Sequence, residues 1–147
     1  MYARRIRRRF ALLAVAAGAL AGCSDSVSFP AELAGSFTLT SANGHALPYT
    51  LPGTPAGTTV VLQSGSLVIL DNGRFDEVLK YTLTTPDFPQ GQPTAAETIG
   101  DATVSNGQIT FTARFEDSYS GTITANTVTY TKEAGSVSLT LSWTRGS

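Results

Sequence analysis

Cysteine and histidine are almost absent from this chain of 147 residues, which contains one of each, Cys23 and His45. A single thiol cannot form an internal disulfide, and zinc or copper sites usually need several nitrogen or sulfur ligands. His45 follows an Asn-Gly pair in a predicted turn, where an exposed histidine without a function is the usual case. The sequence therefore predicts no disulfide, no metal site and no cofactor, so an apolar core must stabilise the fold.

Catalytic motifs are lacking as well. No serine lies in a Gly-x-Ser-x-Gly motif, and there is no phosphate-binding or EF-hand loop. The adjacent carboxylates Asp76-Glu77 are not expected to act as an acid/base couple, because neighbouring residues of a strand point to opposite faces. Glu116-Asp117 is predicted to lie in a turn, where acidic residues are simply solvated. We therefore expect no enzymatic activity and assign no catalytic residue. An enzyme would require Glu77 and His45 to share a pocket.

Charged residues are few and unevenly distributed, at 14% of the chain. Five of the ten basic residues precede Cys23, so the chain from Cys23 onward has five basic and eleven acidic side chains, a net charge of −6. Nucleic-acid-binding domains usually carry a basic surface, so we expect no nucleic-acid partner. Anionic headgroups also repel an acidic domain, so attachment to a membrane would need a lipid anchor.

Long apolar runs are missing too. The longest, residues 10–22, has 13 residues, fewer than the roughly 20 that a membrane-spanning helix needs. It follows an arginine-rich start and ends in small residues, which is the order of a secretory signal peptide. Its last residues and the cysteine, Leu20-Ala21-Gly22-Cys23, resemble the lipobox of bacterial lipoproteins. An ordinary signal peptide cut near this cysteine is the alternative.

The lipoprotein resemblance implies a division of the chain. Residues 1–22 would be a signal peptide that is removed, and Cys23 would carry a diacylglycerol group and a further acyl chain, which anchor a protein permanently. Residues 23–34 would be the lipidated cysteine and a tether no longer than about 40 Å. Ser24 in place of an aspartate favours the outer membrane, if the organism has one. Arg7 to Phe10 fits part of a twin-arginine signal, and the export route stays open.

From Gly35 onward, apolar and polar residues alternate in short segments rich in threonine, valine and aromatic residues, a pattern typical of strands. Asn72-Gly73 and Asn106-Gly107 are hairpin turn signals. Residues 35–147 are therefore predicted to form an all-β domain, a small antiparallel meander β-barrel of about eight or nine strands, with a β-sandwich as the alternative. Two proline-rich stretches, 46–57 and 85–96, are predicted to be loops that could line the barrel mouth.

Two further positions are similar to the calycin and lipocalin-like pattern, in which Gly-x-Trp opens the barrel and a late arginine packs across that aromatic ring. Gly35-Ser36-Phe37 opens the first strand here, and Arg145 ends the last, although Phe37 replaces the tryptophan and Thr-Asp-Tyr has no match. The resemblance implies that the barrel holds a small apolar ligand. The candidate ligand-binding residues are five aromatic residues expected to point inward and one carboxylate: Phe37, Phe75, Glu77, Tyr81, Phe111 and Phe115.

Glu77 is the least expected member of this set. It is in register with Phe75, Leu79 and Tyr81, on a largely apolar face, where a carboxylate needs a partner or an altered pKa. The nearby cations, Lys80 and Arg114, are predicted to face the other way. We therefore favour a β-bulge near Asp76 that turns Glu77 outward.

Taken alone, the sequence predicts a membrane-anchored lipoprotein of the cell envelope whose non-enzymatic barrel binds a small apolar ligand. The alternative is a structural or protein-interaction lipoprotein with a filled barrel, whose partner would be another envelope protein. Exposed Tyr119 and Tyr130 in one patch would support that alternative.

Overall fold

The computed structural model describes residues 29–146, and this part of the chain forms ten β-strands and no helix. The strands are β1 (Gly35–Ala42), β2 (His45–Ala46), β3 (Tyr49–Thr50), β4 (Thr59–Ile69), β5 (Arg74–Thr85), β6 (Phe88–Ser105), β7 (Gln108–Ala113), β8 (Tyr119–Ile123), β9 (Thr127–Ala134) and β10 (Val137–Arg145). No helix in residues 29–146 is long and apolar enough to span a membrane.

The eight longer strands close into one antiparallel barrel. Each pairs with its neighbours in the order β1, β10, β9, β8, β7, β6, β5 and β4, and β4 returns to β1 with Gly35 opposite Ile69 and Thr38 opposite Ser66. The short strands β2 and β3 pair at the outer ends of β1 and β4. The predicted small antiparallel meander barrel is therefore confirmed, and closure leaves these eight strands with few free edges.

Both predicted hairpin signals form turns. Asn106 and Gly107 have φ angles of 52° and 75°, the positive values that a tight two-residue hairpin requires, and they join β6 to β7. In the turn between β4 and β5, Gly73 has a φ of 80°, and the side chain of Asn72 accepts a hydrogen bond of 3.0 Å from the amide of Arg74.

Side chains fill the interior of the barrel. The rings of Phe75 and Phe111 lie 4.9 Å apart, that of Tyr130 lies 5.0 Å from Phe111, and that of Trp143 lies 6.1 Å from Tyr130. Glycine makes room for them, because a Cβ atom at Gly65 would lie 2.9 Å from Cδ2 of Leu79 and 3.0 Å from Cη2 of Trp143. Barrels of eight strands are just wide enough for such side chains.

The end of the barrel that holds Gly35 and Arg145, here called the base, is closed by the arginine. The Arg145 guanidinium lies 4.8 Å from the ring centre of Phe37. It donates hydrogen bonds to the carbonyl oxygens of Ala34 at 2.8 Å and Glu32 at 3.1 Å, so it ties the segment that enters the barrel to the last strand. Gly35 has a φ of 148°, and an added Cβ would collide with the guanidinium.

The prediction of a loop over residues 85–96 is wrong. Most of this stretch belongs to β6, which pairs with β5 from Phe88 onward and carries Pro89 and Pro93. The pairing of β6 with β7 begins only at Gly100, so the earlier part of β6 has one neighbour. Proline is tolerated at such an edge, where the missing N–H removes no ladder hydrogen bond. The other stretch, 46–57, consists mainly of turns with short β-bridges.

Candidate functional site at the barrel mouth

Glu77 points into the barrel, and only 1% of its surface is exposed. Strand β5 pairs without interruption on both sides here, with Asp76 opposite Val68 in β4 and opposite Ile99 in β6. The register shifts of these pairings lie elsewhere, at residues 62–64 and 83–85. The predicted bulge near Asp76 is therefore wrong, because the ladder has no extra residue that could turn the carboxylate outward.

Lys132 is the partner of this carboxylate. Its Nζ lies 2.8 Å from Oε1 of Glu77, and the hydroxyl of Tyr130 donates a hydrogen bond to Oε2. Lys80 and Arg114, the cations considered from the sequence, are both exposed. A sequence signal for Lys132 did exist, since it continues the inward alternation of Val128 and Tyr130 along β9.

The ammonium group of Lys132 makes two hydrogen bonds and two ion pairs. Besides Glu77, it contacts Oγ1 of Thr98 at 3.1 Å and Oε2 of Glu116 at 3.1 Å. Two carboxylates therefore already surround this ammonium and compete with any anionic ligand for it. The Thr98 hydroxyl donates in turn to Oε1 of Glu116 at 3.1 Å. Together with Tyr130, these residues form a network that we call the mouth network: Glu77, Thr98, Glu116 and Lys132. All of its members except Glu116 are buried.

Glu116 connects the mouth network to solvent. Its side chain is 43% exposed, whereas those of Lys132 and Glu77 are 8% and 1% exposed. It lies in the loop between β7 and β8, at the end of the barrel opposite the base, here called the mouth. The network therefore connects this loop to β6 and β9. Its charged side chains extend from the buried Glu77 to the solvent-exposed Glu116.

Burial raises the pKa of Glu77 in the network and the pKa values of two tyrosines outside it. Burial raises the pKa of Glu77 above the usual value for glutamate, and the charge and hydrogen bond of Lys132 offset this only in part. Burial, followed by the negative charges of Glu77 and Glu116, raises the pKa of Tyr81 to about 12. The same causes raise the pKa of Tyr119 far above its usual range. Both phenols are therefore uncharged at neutral pH.

A hollow of about 420 Å³ opens at the mouth, directly beside the network. Lys132 and Tyr119 form its buried part, and the Tyr119 ring centre lies 5.2 Å from the lysine Nζ. The remaining lining residues are exposed and mostly polar: Glu116, Asp117, Ser118, Thr131, Glu133 and Gly135. The hydroxyl of Tyr119 is buried without a hydrogen-bond partner. Ionised carboxylates at the rim of this hollow can accept hydrogen bonds.

The six candidate ligand residues are not gathered around one open space. Phe37, Phe75, Phe111 and Glu77 are buried in the filled interior. Tyr81 is half-buried and lines a separate hollow on β4, β5 and β6.

Phe115 is 91% exposed, so the prediction that it points inward is wrong. Strand β7 ends at Ala113, and its alternation does not continue to residue 115.

The tyrosine patch that would support the protein-interaction alternative does not form, whereas His45 is exposed as expected. Tyr119 and Tyr130 are buried, because they share the inward phase of Ile123 in β8 and Val128 in β9. They cannot form a surface patch. His45 is exposed on β2 and stacks on Tyr49 at 5.7 Å, and it does not line the hollow beside Glu77 and Lys132.

Metal ligands are not clustered in the described part of the chain, where no group of three or more histidine, cysteine, aspartate or glutamate side chains could hold an ion. Cys23 and the predicted signal peptide lie outside residues 29–146.

Comparison with protein-family models, with curated proteins and with solved structures gives no significant match for this chain.

Proposed function

We propose that this chain is a lipid-anchored lipoprotein of the bacterial cell envelope, and that its filled, non-enzymatic barrel is a rigid module that binds at its mouth. The lipobox resemblance of Leu20 to Cys23 supports the anchor, together with the arginine-rich start and the short apolar run before it. The net charge of −6 from Cys23 onward supports attachment by lipid rather than by a basic patch.

The observation that carries the choice of binding mode is the packing of the interior. Phe37, Phe75 and Phe111 would line an internal apolar site, yet each is at most 3% exposed. Their rings pack on other rings, with 5.1 Å between the centres of Phe111 and Tyr119. An apolar ligand inside the barrel would have to displace this stack, whereas the mouth already has an open hollow. This favours the filled-barrel alternative over the internal apolar ligand.

The anchor and the mouth would lie at opposite ends of the molecule. Phe29 is buried, and its side chain packs beside Gly73 near the base. Six residue steps separate Cys23 from Phe29, a reach of at most about 20 Å. If Cys23 is lipidated, the base is held next to the bilayer and the mouth network faces away from it. A soluble ligand or partner could then reach the mouth freely.

Substitution of the cysteine tests the anchor. We expect Cys23→Ala to shift the full chain out of the membrane fraction and to leave the signal peptide uncleaved, because the thiol is the acceptor of the lipid. Ser24→Ala is the matched control and should be processed and anchored normally. Membrane association of Cys23→Ala at the wild-type level would refute the lipoprotein assignment.

Native mass spectrometry of the full chain in detergent tests the binding mode. We expect no apolar molecule to copurify inside the barrel, because the ring stack occupies the space. An apolar ligand that copurifies and quenches the fluorescence of Trp143, the only tryptophan, would instead establish the internal site.

A further inference from the structure

The hollow at the mouth has a strong excess of negative charge. Three carboxylates line it, from Glu116, Asp117 and Glu133, and Glu77 lies beneath them, bonded to Lys132. Four carboxylates against the single ammonium of Lys132 leave a formal charge of −3. Within residues 29–146, neither Asp117 nor Glu133 forms an ion pair. Arg114, the basic residue nearest to Asp117 along the chain, is exposed and does not line the hollow.

The hollow also offers more hydrogen-bond acceptors than donors. The Lys132 ammonium donates hydrogen bonds to Glu77 and Thr98 and forms a second ion pair with Glu116, so an anionic ligand would have to compete with two carboxylates for it. The carboxylates of Asp117 and Glu133 can only accept when ionised. A ligand that fits this hollow must therefore bring donors and positive charge.

Tyr119 is an independent sign that something polar is missing from the site. It is 8% exposed and lines the hollow, and its hydroxyl has no partner. Buried polar groups are normally hydrogen-bonded, so each exception needs an explanation. Burial keeps the pKa of Tyr119 high, so the group stays a neutral phenol, whose oxygen could accept a hydrogen bond from a ligand once the ring shifts to uncover it.

We propose that the mouth hollow binds a small organic cation through an ammonium or guanidinium group, a ligand class that rests on the proposed function of the mouth as the binding face. The cationic N–H groups would donate to Asp117 and Glu133, and to the hydroxyl oxygen of Tyr119 after a shift of the ring uncovers this buried atom. The volume of about 420 Å³ lies in the lower part of the range for small-molecule sites. A metal ion fits less well, because no cluster of metal-ligating side chains is found in the described residues.

Spermidine is a suitable probe, titrated calorimetrically into the full chain in detergent. We expect saturable binding of one molecule, which weakens as salt is added because the attraction is electrostatic. The variant Asp117→Asn/Glu133→Gln should bind roughly tenfold more weakly or worse, since it loses two charge-assisted hydrogen bonds. Its control is Asp71→Asn/Asp87→Asn, which removes the same charge at exposed turns outside the hollow and should change the affinity less than about twofold.

Tyr119→Phe separates a ligand role from a structural one. The substitution removes only an unpaired hydroxyl, so the barrel should fold with at least the wild-type thermal stability. The affinity for spermidine should nevertheless fall about fivefold, the effect of one hydrogen bond. If Tyr119→Phe binds spermidine with wild-type affinity, the hydroxyl does not contact the ligand and the proposal is contradicted.

Three other results would overturn the cation site. They are the absence of spermidine binding to the wild-type chain, an equal loss in both double variants, and tight binding of Ca²⁺ without binding of spermidine. None of them would affect the anchor or the filled interior, because fractionation of Cys23→Ala and native mass spectrometry test those separately. Failure of this inference is thus distinguishable from failure of the proposed function.

Discussion

The buried ion pair between Lys132 and Glu77 permits a demanding test of the mouth network. In Lys132→Met a side chain of similar length replaces the lysine, and the carboxylate of Glu77 is left buried without its cationic partner. Removing one member of a buried pair usually costs about 3–5 kcal/mol of folding free energy, because the other charge stays desolvated. For a domain of this size, that corresponds to a fall in Tm of roughly 10–20 °C.

The cost of Lys132→Met should depend on pH in a defined direction. Burial already raises the pKa of Glu77, and Lys132 supplies the effects that lower it, so the substitution raises this pKa further. A carboxyl group whose pKa is higher in the folded than in the unfolded state adds stability in acid, and this is lost as the pH rises through the folded pKa. The destabilisation should therefore be smaller near pH 4.5, the usual pKa of a glutamate, than at about pH 8.

Thermal unfolding of the full chain in detergent, followed by the fluorescence of the buried Trp143, would measure this effect. Lys80→Met is the matched control, since Lys80 is exposed on the same strand as Glu77. The double variant Glu77→Leu/Lys132→Met should recover most of the lost stability, because an apolar pair replaces two desolvated charges. The reasoning fails if Lys132→Met destabilises no more than Lys80→Met, or if its cost grows in acid.

Two further predictions concern the base and the free edge of β6. Gly35→Ala should lower the stability by at least about 2 kcal/mol more than Gly44→Ala in chemical unfolding. Both glycines have positive φ angles, but only at Gly35 would the added Cβ collide with Arg145. Equal losses would refute the role of Arg145 in closing the base. Pro89→Thr/Pro93→Thr should leave Tm within a few degrees of wild type, yet increase aggregation measured by light scattering, because a strand edge with all its N–H groups can pair with another chain. Unchanged aggregation would show that these prolines do not protect the edge.

The sequence predicted the architecture well because local rules dominate it. Period-two alternation identified most strands, and Asn106-Gly107 identified a turn whose positive φ angles the structure contains. The error over residues 85–96 came from reading Pro89 and Pro93 as loop residues. Proline is unfavourable in a strand that pairs on both sides and is tolerated on an edge where its nitrogen faces away from the neighbour. The lack of a second neighbour beside this part of β6 is a property of the assembled barrel.

The candidate site was predictable only in part. Alternation placed Glu77 on the inner face. The only partners considered for it from the sequence were the nearby cations Lys80 and Arg114. Lys132 lies 55 residues away in the chain, and no local pattern relates the two. The inward direction of Lys132 could have been read from Val128 and Tyr130, since side chains two apart in a strand share a face.

What the sequence determined by itself is an all-β chain with defined turns, an acidic domain after Cys23, and the prediction that this cysteine is a lipid anchor. Tertiary structure alone decided that the interior is filled, that Glu77 is paired with Lys132, and that a hollow opens beside Tyr119. The physical reason is closure of the barrel: the register around eight strands selects which inward side chains meet across the interior. Alternation along one strand specifies only the face on which each side chain lies.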